Sequence, residues 1–171
     1  EAVSHAERAI AIDRERLGNR HPILATRLAN YGIILKSLGQ LDAAEPAMVE
    51  SLEIRRAVLP PDHRDVAFGI EGIASIKDAR KLYAEAEPYF IEAAEIFEKQ
   101  GKLDADALRN RSNIGRMRFL REDFAGAVVA YKAVLETRLT ELPAEHPDVQ
   151  ASKLRLATSL LKNKQYAEAE P

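Results

Sequence analysis

The feature that most constrains this chain is an internal repeat. The segment Asp42-Ala43-Ala44-Glu45-Pro46 returns as Ala84-Glu85-Ala86-Glu87-Pro88 and as Ala167-Glu168-Ala169-Glu170-Pro171, with a weaker copy at Ala125-Gly126-Ala127-Val128. Their reference alanines, with Ala2 as a further copy, are Ala2, Ala44, Ala86, Ala127 and Ala169, spaced 42, 42, 41 and 42 residues apart. A second marker, Leu17-Gly18-Asn19-Arg20-His21-Pro22, returns as Leu59-Pro60-Pro61-Asp62-His63-Arg64 and as Leu142-Pro143-Ala144-Glu145-His146-Pro147. Its histidines keep the same period, and the missing copy falls at Gly101-Lys102-Leu103-Asp104-Ala105-Asp106, a loop one residue short. Two unrelated markers sharing one period and one deletion mean that each unit is a supersecondary element stacked on its neighbours.

Each period reads as two helices. Apolar residues at 24, 28, 31, 34, 35 and 38 have helical spacing. Pro22 suits a first helical position, and Gly39 suits the stop. Asp42 is placed to cap the following helix, with Pro46 in its first turn. The predicted helices are 2–17, 23–38, 42–58, 65–80, 84–100, 105–121, 125–141 and 148–163, with a stub from 166. Small residues recur at fixed places: Gly32, Ala74, Gly115 and Ala157 in the first helix of each unit, and the reference alanines in the second. Four residues after the reference alanine stand Met48, Phe90 and Tyr131. Small side chains let two helix axes approach closely, and the larger one fills the adjacent hole.

Composition narrows the function. The chain has 171 residues, 46% of them hydrophobic and 30% charged, which excludes a disordered tail or collagen. A net charge of −2 argues against a dedicated nucleic-acid binder. No apolar run approaches the roughly 20 residues of a membrane span. With no Cys there are no disulfides, thiolate metal sites or cysteine nucleophile; this is compatible with a reducing compartment, and the expected location is cytoplasmic. The chain lacks an initial Met and opens inside a helical pattern, so it reads as a piece of a longer protein.

These residues carry a resemblance. A small residue, then Ala, then an aromatic or Met, then Ala resembles the tetratricopeptide repeat, and a 42-residue period with Ala-Glu-Pro opening the second helix is similar to the repeats of kinesin light chains and bacterial relatives. The light-chain pattern has Tyr where this sequence has Leu35, Lys77, Arg118 and Leu160, and its Asn-Asn pair survives only as Asn30 and Asn113, so the chain resembles a divergent relative. The resemblance implies an all-α, right-handed superhelical solenoid of antiparallel helix pairs. The expected organisation is one array over 1–171: a partial repeat at 1–22, repeats at 23–64, 65–105 and 106–147, and a partial repeat at 148–171.

The sequence holds no phosphate-binding loop, no Gly-rich dinucleotide turn and no His-Glu-x-x-His. His21, His63 and His146 are expected to cap or pack loops, because a repeat keeps them apart whereas metal ligands must converge. Glu85 and Glu87 are read as acids favoured by a helix N-terminus. No enzyme activity, cofactor or metal site is therefore expected. The resemblance implies a protein-interaction scaffold that binds a partner peptide in a concave groove lined by the first helices. Counting the small residue as position eight, groove positions two, five, six, nine and twelve are Thr26, Ala29, Asn30, Ile33 and Lys36 in the first unit. They are Phe68, Glu71, Gly72, Ser75 and Asp78 in the second, and Arg109, Ser112, Asn113, Arg116 and Phe119 in the third. In the fourth they are Ala151, Leu154, Arg155, Thr158 and Leu161. From these, Asn30, Lys36, Arg109, Asn113, Arg116 and Arg155 form the expected peptide-binding set. The basic bias of the last two units favours an acidic partner, and the scarcity of interleaved aromatics argues against single-stranded nucleic acid. Alternatives are a regulatory or sensor arm of a larger enzyme or signalling ATPase, and a self-assembling solenoid whose uncapped ends associate end to end.

Overall fold

The computed structural model describes residues 2–99 and 104–169. Among these the chain is helical and free of strands, running as α1 (Ala2–Leu17), α2 (Pro22–Ser37), α3 (Leu41–Val58), α4 (Arg64–Ala79), α5 (Tyr83–Glu98), α6 (Ala105–Leu120), α7 (Phe124–Leu139), α8 (Pro147–Lys162) and α9 (Tyr166–Ala169). Each helix packs on the next in sequence, and α2 also touches α4. This is the one-dimensional stacking that the period demands: α2, α4, α6 and α8 are first helices, and the others are second helices. No helix among the described residues is long and apolar enough to cross a membrane.

Helix boundaries follow from local chemistry. The Nδ1 atoms of His21, His63 and His146 accept the amides of Ile23, Asp65 and Asp148 at 3.1–3.2 Å, so the recurring histidine is an N-cap. In the shortened linker, residues 100–103 lie outside the described residues. At its described end Asp104 takes over the capping task, accepting the amides of Asp106 and Ala107. The first helices end alike, with the residue after the cap in the left-handed region: Gly39, Lys81, Glu122 and Lys164, φ from 61° to 74°. In each case its amide and the next one return to carbonyls of the last helical turn, as in Gly39 to Lys36 and Gln40 to Leu35. Only the first of the four has the glycine that this conformation favours.

Two expectations need correction. Pro46 is not in the first turn of α3 but inside the helix, past that turn, because the helix starts at Leu41. Asp42 does not cap α3, whose N-cap is Gln40 with no side-chain bond. The return turn starts the helix at Leu41, which puts Asp42 inside the first turn, and its exposed carboxylate instead accepts from Arg80 at 2.8 Å.

The small residues sit where helices cross. Ala44, Ala74, Ala86, Ala93 and Ala127 are wholly buried. A Cβ added to Gly32 would lie 2.9 Å from Met48 Cγ, and one added to Gly115 would lie 2.8 Å from Tyr131 Cε1. Each unit thus seats the larger residue of its second helix against the small residue of its first. Phe90, Ile114 and Met117 extend this packing into one cluster; Leu35, Met48, Ile70, Ile76 and Phe97 belong to another.

A further repeat-to-repeat contact explains the missing tyrosines. Glu45 is held by Lys77 and Arg80, and Glu87 by Arg118 and Arg121. These acids from the Ala-Glu-Pro segments occupy the position that is Val3 in the first copy and Val128 in the fourth; in the fifth it is Glu170, which lies outside the described residues. The partners at the late position of the first helix change in step: Leu35 and Leu160 accompany the valines, Lys77 and Arg118 the acids. Val3 packs against the cluster that contains Leu35. Residue types at the two places match: Glu87 pairs with Arg118 at 2.7 Å, Glu45 lies 3.6 Å from Lys77, which bonds Glu85 more closely at 2.8 Å, and Val128 and Leu160 are both apolar and buried.

Two outcomes follow. Gly115→Ala pushes a methyl into a buried ring and should destabilise by about 1–3 kcal/mol despite better helix propensity. Gly32→Ala meets Met48 Cγ at 2.9 Å and the Ala44 backbone oxygen at 3.3 Å; the Met can turn aside but the carbonyl cannot, so this variant should also destabilise, by about 1–2 kcal/mol, and urea denaturation of both variants checks the sizes. Arg118→Leu alone should cost about 1–2 kcal/mol by weakening the clamp on a mostly buried Glu87. Adding Glu87→Val should recover most of that loss, a coupling readable in a double-mutant cycle.

Candidate functional site

The first helices present one face of the array, and two cavities open on it. The larger, about 360 Å³, lies between α2 and α4. Its walls include Asn30, Ile33, Met48, Phe68 and Gly72, and Arg55 from α3 lines it as well. The other, about 310 Å³, lies between α6 and α8 and is lined by Arg109, Ser112, Asn113, Arg116 and Arg155, with Arg138 from α7 and Asp148. The expected binding residues therefore divide between two places: Asn30 and Lys36 in the first, Arg109, Asn113, Arg116 and Arg155 in the second.

The interface between them is laced by ion pairs. Arg109 makes a two-point contact with Glu71 at 2.9 and 2.7 Å and also pairs with Asp106. Arg116 grips both oxygens of Asp78 at 3.0 and 2.5 Å. In repeat terms, position five pairs with position two of the next unit, and position twelve with position nine. The acidic second unit and basic third unit seen in the sequence are thus two sides of one contact. Lys36 Nζ follows the same rule, donating to Ser75 Oγ. The hydrogen bond to Glu71 holds the Arg109 guanidinium above its ordinary pKa.

Beyond α6 the rule has no takers, because Ser112 and Phe119 face Ala151 and Thr158 at the corresponding positions. Phe119 stacks edge-on with Phe124 of α7, ring centroids 5.3 Å apart. Arg155 is exposed, and its guanidinium makes no hydrogen bond or ion pair among the described residues. Its charge is nevertheless felt. Burial pushes the Arg138 guanidinium below its ordinary pKa, Arg155 adds to the effect and Asp148 opposes it. Burial likewise holds the Tyr131 phenol high, and the charges of Arg155 and Arg116 oppose that. Ser112 is 7% exposed, and its buried hydroxyl has no hydrogen-bond partner. The α6–α8 cavity therefore combines four arginines against a single lining carboxylate with an unsatisfied hydroxyl. Such a lining favours an anion, since guanidinium groups and hydroxyls supply donors in a partly water-excluded space.

Sequence reasoning missed Arg55 and Arg138, which lie late in second helices and nonetheless reach the groove. Arg55 is 8% exposed. Its Nη1 donates to the Asp65 carbonyl at 2.8 Å, and Arg138 makes the same bond to the Asp148 carbonyl at 3.0 Å. The signal available in the sequence was their 83-residue separation, two full periods. Among the described residues, no group of three or more His, Asp or Glu side chains could hold a metal ion.

Comparison with known proteins agrees with this architecture. The tetratricopeptide repeat family model matches residues 1–57. No curated protein matches the chain at the sequence level. Among solved structures, nearly identical TPR-like repeats from a Podosopora anserina protein described as a kinesin light chain are similar over 98% of this chain and 80% of that one, with 22% identity and a TM-score of 0.88. BtubC (BKLC) from P. vanneervenii is similar over 97% of this chain and 66% of that one, with 19% identity and a TM-score of 0.85. The apo form of RapI is similar over 98% and 45% respectively, with 15% identity and a TM-score of 0.83. With its 42-residue period, paired helices and buried small-residue crossings, the chain has the fold of a tetratricopeptide-repeat array of the kinesin-light-chain type, and the family model itself covers residues 1–57.

Proposed function

We propose that this array is a protein-interaction scaffold whose groove binds an acidic segment of a partner. The observation that carries the reading is the α6–α8 cavity, where Arg155 has no counter-ion among the described residues, Arg116 and Arg138 stand close by, and the Ser112 hydroxyl is unsatisfied. Asn113, half-buried in the same lining, offers both a donor and an acceptor to a peptide backbone. Arg109 and Arg116 have their charges largely engaged by Glu71 and Asp78, so in this reading they orient and wall the site while Arg155 supplies the open charge. Arg155→Glu should leave the melting temperature unchanged, because the residue is exposed and unpaired. It should weaken binding of an acidic partner peptide at least tenfold in isothermal titration calorimetry, more at low salt than at high salt. Unchanged affinity would remove the anionic site from the reading.

A second reading, end-to-end association of copies, is favoured by α8. The positions that are Glu71 and Asp78 on α4, each held by the next first helix, are Leu154 and Leu161 on α8, at 70% and 52% exposure. Apolar side chains this open favour cover by another protein surface. A second copy covering them would give a mass that rises with concentration in light scattering, and Leu154→Glu with Leu161→Glu should return it to that of a monomer.

A further inference from the structure

Asn30 and Asn113 are 83 residues apart, and so are Arg55 and Arg138. Each asparagine lines one cavity together with one of these arginines: Asn30 with Arg55 between α2 and α4, Asn113 with Arg138 between α6 and α8. In the repeat between them both partners are absent, since the equivalent residues are Gly72 and Phe97. Phe97 is fully buried there, stacks on Phe68 at 5.0 Å and lies under the Arg64 guanidinium. The intervening interface is spanned by the pairs Glu71–Arg109 and Asp78–Arg116.

The arginine position tolerates an apolar residue, as Phe97 demonstrates. A guanidinium there is costly by comparison. Arg55 is more than nine-tenths buried and its guanidinium carries five donors, yet among the described residues the one hydrogen bond of that guanidinium runs to a backbone carbonyl. Burial pushes its pKa down, and the charge of Asp65 only partly offsets this. Glu71, the carboxylate in the same lining, is occupied by Arg109. A buried cation without a dedicated anion weakens a fold unless something outside the chain completes it.

We infer that the groove holds two matching cradles, Asn30 with Arg55 and Asn113 with Arg138, which together grip two separated acidic side chains of one extended peptide. This rests on the reading of the groove as a binding surface for an acidic segment and goes beyond it by assigning a second site, two residues from second helices, and a spacing. In each cradle the arginine receives a carboxylate and the asparagine amide bonds the adjacent main chain. The α2–α4 cradle, walled by Ile33, Phe68 and Met48, also covers the apolar stem of the bound residue. α2 touches α4, and α4 reaches α6 through the pairs Glu71–Arg109 and Asp78–Arg116. With about 8–10 Å per step as the spacing of directly packed helices, cradles two steps apart are separated by at least roughly 16–20 Å, or about five or six residues of extended chain.

Fluorescence anisotropy tests this with fluorescein-labelled Ala/Ser peptides that carry two glutamates separated by one, five or eleven residues. The five-residue spacing should bind at least tenfold more tightly than either of the others. Asn30→Asp and Asn113→Asp keep side-chain shape, so folding is preserved, and each places a negative charge in one cradle. Either should reduce the affinity of the five-residue peptide to that of the poorly spaced ones, and Arg55→Met and Arg138→Met should do the same. If peptides bind but affinity ignores spacing and all four substitutions, the cradles are overturned and the acidic-groove reading stands. If none of the peptides binds, both are overturned.

Discussion

Everything in this molecule depends on the close crossing of two helices within each unit. A glycine or alanine at position eight of the first helix and an alanine in the second remove the side-chain bulk that would hold the axes apart, and Met48, Phe90 or Tyr131 occupies the space beside them. A helix pair so formed still has apolar surface on both flanks, and another pair covers it. The period is the consequence: the same crossing is made in each unit, and the chain advances by one helix pair each time. Groove residues gain their fixed register from this, since a side chain on α4 meets its counterpart on α6 only if both helices are seated at the same depth.

Polar contacts between units are arranged over that apolar framework and differ from unit to unit. Glu45 and Glu87 are each clamped by two cations of the following unit, while the first and fourth copies have Val3 and Val128 there, with Leu35 and Leu160 at the partner place. Second helices repeat a pair as well, Arg14 with Glu50 and Arg56 with Glu92. Partly exposed pairs of this kind add little stability individually. Their main effect is to match each unit to the next, because an acid-bearing unit stacked on a leucine-bearing one would bury an unpaired charge.

In the groove the same logic produces a division of labour. The α4–α6 interface is satisfied internally: two carboxylates and two guanidinium groups engage one another. The interfaces on either side hold open volume lined by Arg55 and Asn30 in one and by Arg138, Arg155 and Asn113 in the other. Electrostatic potential in such a groove depends on which charges are already neutralised, not on how many are present. Arg155 contributes more to it than Arg109 or Arg116, although all three look alike in a count of basic residues.

The helices, their order and the small-residue crossings were legible in the sequence because they rest on local chemistry and on periodicity. Helical spacing, the Pro22 start, the Gly39 stop and the recurring alanines each act within a turn or two, and repetition multiplies the signal. The capping role of His21, His63 and His146 was legible for the same reason. Asp42 was misread because the return turn had already begun the helix, and an aspartate one residue before the helix and one inside it look the same in a sequence. Only tertiary structure decided which charges are engaged: Glu71 and Asp78, which hold Arg109 and Arg116, lie 38 residues away on another helix. It also decided that Arg55 and Arg138 reach the groove from second helices, where a face rule built on first helices alone does not look. A repeat determines which positions are equivalent; the distance between side chains on adjacent units determines what those positions do.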